Sequence, residues 1–325
     1  PAEGWSATGL CIYEPTLRAG EMVVLRGKAG ERGMLPHRLS SMTPRPAMVV
    51  TSDPDTVPPT DLPILRVAGT DDAILALAHY ARSAMSGRLI GVTGSAGKTT
   101  MVAMLAQALE PWGPVGQTQM NANLPHGIAW NLASIPWDTP HIVMELAIGR
   151  MRQNARLVRP NIALFTNILP AHLEYHRDLA TIARRKGAMF EGMAPGGIAI
   201  LNADMAECEQ VAALAQARDL RVIRYGEGRN ADFRMVEHGD GKVAVETPVG
   251  PISYRLDAPG RHMALNSVAV LATLSALSLE PQAGLRRLAE FRPLAGRGEE
   301  RKLSVDGRRI ILIDDAYNAN PGTMA

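Results

Sequence analysis

The sequence predicts an α/β protein whose central domain is a parallel sheet, preceded by a smaller α/β unit and followed by the start of a third. Three observations carry this expectation. From residue 88 to about 295, apolar runs of strand length alternate with amphipathic helical stretches, the pattern of a parallel sheet covered on both faces. A glycine-rich turn within Gly91-Val92-Thr93-Gly94-Ser95-Ala96-Gly97-Lys98-Thr99-Thr100 separates an apolar strand from an amphipathic helix. The 325 residues, 46% hydrophobic and 20% charged, are globular in composition and long enough for two or three domains.

In chain order, residues 1–87 form the first unit. Its strand candidates are Cys11-Ile12-Tyr13, Met22 to Leu25, Met48 to Thr51 and Ile64 to Val67, separated by proline-rich loops. Thr70-Asp71-Asp72 starts a helix whose apolar face is Ile74, Leu75, Leu77, Ala78, Ala81 and Met85. A boundary is expected near Gly87. The central unit, 88–295, has strand candidates at Leu89 to Thr93, Ile142 to Met144, Ile162 to Thr166, Ile198 to Leu201 and Val222 to Tyr225. Between Asp232 and Leu256 the pattern changes to short alternation around Gly239-Asp240-Gly241 and Pro248 to Pro251, which predicts a small antiparallel appendage. Helices follow at about 262–277 and 281–290. The third unit, 296–325, opens at Gly296-Arg297-Gly298 with a hairpin turning at Asp306-Gly307 and a helix start at Asn320-Pro321-Gly322. A strand pair and a helix start cannot make a core of their own, so this unit reads as truncated.

Charge and cysteine content narrow the function classes. Thirty-four basic against 32 acidic residues, a net charge of +2, gives no electrostatic case for nucleic acid or a membrane surface. The apolar runs are too short to span a bilayer, and the N-terminus, which starts at Pro1, does not resemble a signal peptide. Cys11 and Cys208 alone make neither a disulfide scaffold nor a thiolate metal cluster, so both are expected as buried or inert thiols in a reducing, cytoplasmic compartment.

The glycine-rich turn opens a helix. Small residues free its backbone N–H groups, and together with the positive helix end these cradle phosphate oxygens, with Lys98 as a point charge on them and Thr99 facing a phosphate-bound magnesium. The strict Walker spacing fails, because Val92 stands where a glycine is required. An ordinary glycine turn that binds nothing is the competing reading. Ligands of open parallel sheets bind beyond the carboxyl ends of the strands, and several strands here end in reactive residues. Glu145 follows one, Asn167 with His172 another, and Asp314-Asp315 the last. Glu145 alone could be a solvated charge, but beside a phosphate cradle it suits a magnesium ion. Lys186 falls in the middle of the apolar stripe of a helix spanning about Asp178 to Met193, so it must pair, snorkel or be modified, and snorkelling is the simplest outcome on its own. His172 and His176, with Glu174 between them, lack a third nitrogen or sulfur ligand for zinc. His262 and Asn266 lie one helical turn apart, compatible with capping or surface placement.

At this point the residues resemble the Mur ligase family, the ATP-dependent ligases that build the peptide of bacterial cell-wall precursors. Four blocks carry the likeness: Gly94-Ser95-Ala96-Gly97-Lys98-Thr99-Thr100; Thr166-Asn167-Ile168 with His172-Leu173-Glu174; Lys186 within Ala183-Arg184-Arg185-Lys186; and Asp314-Asp315-Ala316-Tyr317-Asn318-Ala319-Asn320-Pro321. The last is closest to the branch that joins D-alanyl-D-alanine to a UDP-muramoyl tripeptide. Thr118 to Asn123, and Gly260-Arg261-His262 with Asn266, fit that branch loosely. The likeness is strong over about 66–202 and 259–325 and faint elsewhere.

The resemblance implies a P-loop-type ATPase centre, a UDP-sugar-like substrate domain before it and a Rossmann-like domain after it. It implies ATP and two magnesium ions as cofactors. Residues 94–100 would hold the phosphates, Lys98 and Thr99 among them; Thr99 and Glu145 would hold the first metal; His172 and a carbamylated Lys186 the second. Asn266 would contact adenine, Arg297 the phosphates and Asp315 the ribose, while Thr118, Asn121 and Asn123 would face the substrate. In such chemistry a carboxylate takes the γ-phosphoryl group to give an acyl phosphate, and an amine displaces phosphate to form the amide, with Lys98, Glu145, His172 and Lys186 as the catalytic set. The partner is a small molecule or nucleotide-sugar peptide, and a monomer is expected.

Two departures stand out. Thr16-Leu17-Arg18 replaces the family's Asp-Ser-Arg block for the uridine nucleotide, and the chain stops inside the third domain, so this stretch alone is expected not to complete ligation. Two other readings remain: a Mur-like module that binds ATP without catalysis, and a P-loop kinase, which would leave the 314–321 block a coincidence.

Overall fold

The computed structural model describes residues 6–170, 178–305, 308–314 and 316–317. In chain order the elements are β1 (Gly9–Cys11), β2 (Glu21–Leu25), β3 (Met48–Thr51), β4 (Ile64–Arg66), α1 (Thr70–Ala84), β5 (Arg88–Thr93), α2 (Lys98–Leu109), β6 (Val115–Gln117), α3 (Pro125–Ser134), β7 (His141–Glu145), α4 (Met151–Val158), β8 (Ile162–Phe165), α5 (Leu179–Gly187), β9 (Ile198–Asn202), α6 (Cys208–Gln216), β10 (Arg221–Gly226), β11 (Phe233–Gly239), β12 (Lys242–Thr247), β13 (Gly250–Arg255), α7 (Arg261–Ala276), α8 (Pro281–Ala289), β14 (Glu299–Val305) and β15 (Arg308–Asp314). The chain divides into two compact units, Pro1–Gly87 with Thr118–Thr139, and Arg88–Gln117 with Pro140–Ala325.

In the first unit β1 to β4 lie side by side in chain order, every pair parallel. A parallel sheet needs cover on both faces, and consecutive residues Val23, Val24 and Leu25, then Val49 and Val50, are fully buried. α1 turns Ile74, Ala78 and Ala81 inward, while Leu75 and Leu77 are half-buried. The unit also takes the segment Thr118–Thr139, which the sequence places in the central stretch. Its helix α3 buries Ile128, Ala129, Trp130 and Leu132 and packs on α1 and β1. Ser134 closes the free side of β1, donating from Oγ to Leu10 O at 2.6 Å and accepting from Leu10 N–H at 3.3 Å. Linear order does not reveal this return, because the helix periodicity is the same whichever sheet it covers.

The second unit is built on one nine-stranded sheet, ordered β13-β12-β11-β10-β9-β8-β5-β7-β6. Strands β5 to β11 pair parallel, β12 adds antiparallel to β11, and β13 adds antiparallel to β12. The expected antiparallel appendage is therefore a continuation of the main sheet, since β11 pairs with β10 before the chain doubles back. Ile90 and Val92 of β5 join a core with Met101, Met104 and Leu105 of α2 and with Val268, Leu271, Leu285 and Leu288 of α7 and α8. Gly91, between them, faces the opposite layer, where a Cβ would meet Met189, Leu146 and Pro160. α5 begins at Asp178, whose carboxylate accepts from Thr181 N–H at 2.6 Å. The helix expected to run to Met193 ends at Gly187 and tightens into a 3-10 turn, Ala188–Gly192, that buries Met189 and Phe190. Cys11 and Cys208 are free, buried thiols that burial pushes above the usual thiol range.

β14 and β15 pair antiparallel as a separate ribbon. The turn Asp306-Gly307 and the helix start at Asn320-Pro321-Gly322 lie outside the described residues. No helix among the described residues is long and apolar enough to cross a membrane.

Leu105 is fully buried where α2 meets α7, α8 and the sheet. Leu105→Ala should lower unfolding stability by about 2–5 kcal/mol, read as a lower urea midpoint with an unchanged slope.

Candidate functional site

The chain lays β5, β6 and β7 to one side and then crosses to β8, β9 and β10 on the other, so the end of β5 is a topological switch point. Register keeps the strand ends level: Val92 pairs with Glu145 and Thr93 with Phe165. The glycine turn leaves this switch point. A side chain at Gly94 would collide with Thr166 Oγ1, so only glycine fits there. Gly97 caps α2 at φ 76°, a left-handed conformation that glycine adopts without strain.

The residues after β8 hold the turn. Ser95 N–H donates to Asn167 O at 3.0 Å and Ala96 N–H to Asn167 Oδ1 at 2.9 Å. Thr166 Oγ1 donates to Ala96 O at 2.6 Å, and Ser95 Oγ accepts from Leu169 N–H at 3.0 Å. Thr166 is braced in turn, its carbonyl accepting from Asn202 Nδ2 at 2.9 Å. The turn amides of Ser95 and Ala96, expected to face phosphate, are thus already bonded inside the protein.

Two lysines meet on one carbonyl. Lys98 Nζ donates to Gly94 O at 3.1 Å and Lys186 Nζ to the same oxygen at 2.7 Å. Lys98 is half-buried as a residue with its amine turned inward, whereas Lys186 is only 3% exposed. Burial, reinforced by the charge on Lys98 and opposed by Glu145, pushes the Lys186 amine down to about 7. Burial also holds Lys98 below the usual lysine range, with Arg297 adding and Glu145 opposing. Glu145 is buried at the end of β7 and accepts from Thr99 Oγ1 at 2.6 Å. A hydroxyl and a carboxylate side by side are hard oxygen donors of the kind magnesium takes.

Thr100 is buried on α2. Arg297 follows α8, its guanidinium 4.3 Å from the centre of the Tyr317 ring. Asn266 is half-buried on α7. Thr118, Asn121 and Asn123 belong to the first unit, in the loop before α3, where Met120 and Asn121 have φ of 56° and 52°. His172, Glu174, His176 and Asp315 lie outside the described residues. Among the described residues no group of three His, Cys, Asp or Glu side chains is placed to hold a metal. A cavity of about 270 Å³ lies in the first unit among Leu10, Met22, Leu77, Tyr80 and Trp137, but none of the lysines or carboxylates above lines it.

A parallel sheet with a glycine turn, a helix N-terminus and an inward lysine at its switch point is an α/β arrangement of the kind that can cradle phosphate. A family model described as the Mur ligase middle domain matches residues 92–274, more than half of the chain, and the chain belongs to the Mur ligase family. The UDP-N-acetylmuramoyl-tripeptide--D-alanyl-D-alanine ligase of Escherichia coli (strain K12) is 32% identical over 273 residues, which are 81% of this chain and 59% of that protein. The chain thus spans about six-tenths of the length of that relative. Among solved structures, MurF from Acinetobacter baumannii superposes with a TM-score of 0.78 at 23% identity, covering 97% of this chain and 69% of that one. MurF from Thermotoga maritima in complex with ADP gives 0.73 at 21%, covering 96% and 72%. These two likenesses establish the fold.

Gly94→Ala should misplace the turn through the collision with Thr166 and lower unfolding stability by about 1–3 kcal/mol, read as a lower urea midpoint. The Lys186 amine also sets a pH dependence. Between pH 7 and about 10 the unfolded chain keeps a proton on this lysine that the folded protein has lost, so stability rises with pH through that window, while below pH 7 the cost of burying the charge is present in full. Urea midpoints in carbon-dioxide-free buffer should rise between pH 7 and 9.5 for wild type relative to Lys186→Met.

Proposed function

We propose that the complete polypeptide is an ATP-dependent, ADP-forming ligase that activates a carboxylate as an acyl phosphate and joins it to an amine, with a UDP-muramoyl tripeptide and D-alanyl-D-alanine as the pair. The observation that carries this is the meeting of Lys98, the Thr99–Glu145 pair and a near-neutral buried Lys186 at one strand end. A phosphate cradle needs the first two. A module that only binds nucleotide has no use for the third, which costs stability to bury.

Lys98 holds the transferring phosphate oxygens, and the opening amides of α2 with its positive end share that charge. Thr99 and Glu145 would hold a first magnesium ion through two hard oxygens. A second would need the carboxylate that Lys186 gains on carbamylation, with His172. The unprotonated Lys186 amine attacks the carbon of carbon dioxide, forms the N–C bond and releases a proton to solvent, which leaves an anion where the free lysine is a donor. When bound, magnesium offsets the charge that gathers on the phosphoryl oxygens and aligns them for in-line transfer. Asn266 would meet the adenine, Arg297 the phosphates and Asp315 the ribose.

In the first unit, Thr118, Asn121 and Asn123 would face the sugar-peptide. Thr16-Leu17-Arg18, in place of the family's Asp-Ser-Arg, favours a second reading on one point: a relative of these ligases acting on another carboxylate and amine. Residues 1–87 would serve the substrate, 88–295 ATP, and 296–325 would begin a domain for the amine. The enzyme would work as a cytoplasmic monomer.

Phosphate release by the full-length protein, given ATP, the UDP-muramoyl tripeptide and D-alanyl-D-alanine, should require all three; release only with other acceptors would select the second reading. Lys98→Ala and Lys186→Ala should each lower kcat/KM at least about 100-fold. Full activity in Lys186→Ala would remove the second metal from the mechanism.

A further inference from the structure

The glycine turn and the residues after β8 form a clasp whose centre is Asn167. Its carboxamide bonds both polar backbone groups of Ala96: Oδ1 accepts from Ala96 N–H at 2.9 Å, and Nδ2 donates to Ala96 O at 3.3 Å. Its own carbonyl accepts from Ser95 N–H at 3.0 Å. Ser95 Oγ completes the clasp on Leu169, accepting from its N–H at 3.0 Å and donating to its carbonyl at 3.2 Å. Ser-Ala-Gly is a stretch with no side chain large enough to fix its own conformation, so these bonds are what hold it.

We infer that Asn167 is a positioning residue that divides the turn in two: Ser95 and Ala96 act as a fixed buttress, and phosphate recognition is left to the Gly97 amide, the opening amides of α2 and the Lys98 amine. The bond from Met101 N–H to Gly97 O opens the helical ladder of α2, and the Lys98 amide, three residues earlier, lies in the first turn, where an α-helix supplies no acceptor of its own. Ser95 and Ala96 have spent theirs. Anchoring Ala96 on both sides sets the peptide plane that leads into Gly97, and from there the left-handed turn aims the next amides. Donors fixed before the ligand arrives cost no reorganisation when charge develops on the phosphate.

This rests on the turn being a nucleotide-phosphate cradle, and the test separates the two. In the full-length protein, Asn167→Leu should weaken binding of ATP with magnesium by at least about tenfold in titration calorimetry and leave affinity for the sugar-peptide unchanged. Wild-type ATP affinity in a folded Asn167→Leu protein would overturn the proposal. An equal loss for both ligands would make Asn167 merely structural and overturn it too. Wild type that does not bind ATP at all would remove the cradle reading, and the proposal with it. Should the variant not fold, amide hydrogen exchange on wild type decides. Ser95 and Ala96 should be protected without nucleotide and unchanged by it, with protection at Gly97 and Lys98 appearing only on adding ATP. Ser95 and Ala96 amides that become protected only with ATP would overturn it.

Discussion

The site depends on one carbonyl. Gly94 O receives both Lys98 Nζ and Lys186 Nζ, so two amines from helices 88 residues apart in sequence are brought onto a single acceptor. Among the described residues the carboxylate that opposes the burial shift at both Lys98 and Lys186 is Glu145, which also accepts from Thr99. Like charges in a dry site cannot all stay charged cheaply, and the amine with least access to water yields first. That amine is Lys186, pushed down to about 7, and the shift follows from where α5 places it, not from any property of lysine.

The carbonyl is held still by the sheet around it. β5 is flanked by β7 and β8, and the strand ends on both sides feed residues toward the same turn: Glu145 from one, Thr166 and Asn167 from the other. Beneath them, Asn202 from β9 and the Tyr225 hydroxyl from β10 bond the carbonyls of Thr166 and Phe165 at 2.9 and 3.0 Å. Bracing thus passes across four neighbouring strands to the glycine turn, through hydrogen bonds that are buried or part-buried, where an unmade one is expensive.

Much of this was legible in the sequence, and the parts that were not share a cause. Strand and helix alternation gave the central sheet and its order of elements, because burial on both faces leaves continuous apolar runs. The inward direction of Lys186 came from helical period alone. Three features escaped it. Val115–Gln117 is too short for a strand signal, yet it pairs with β7 at the sheet edge. α3 belongs to the first unit although it follows β6, since periodicity says that a face is buried but not against what. The engagement of the Ser95 and Ala96 amides was hidden for the same reason: a turn's composition shows which donors are free to bind, and only the neighbouring strand decides whether they are already bonded. Thr166 and Asn167, standing directly after a strand beside β5, were the available signal.

The balance of charge tells the two lysines apart. Among the described residues, Glu145 is the carboxylate that acts on both Lys98 and Lys186, against the charge of Arg297 on Lys98 and of Lys98 on Lys186, a positive balance that suits an anion. A bound anion would move the Lys98 amine back toward the usual lysine range, because it would supply an opposite charge against the effect of burial. Lys186 is the more buried residue of the two, 3% exposed against a half-buried Lys98, and both amines meet on Gly94 O. The same excess of positive charge therefore acts on both amines in one direction, and at Lys186 burial carries the shift to about 7, so a substantial share of that amine is unprotonated near neutral pH, the form in which lysine can react.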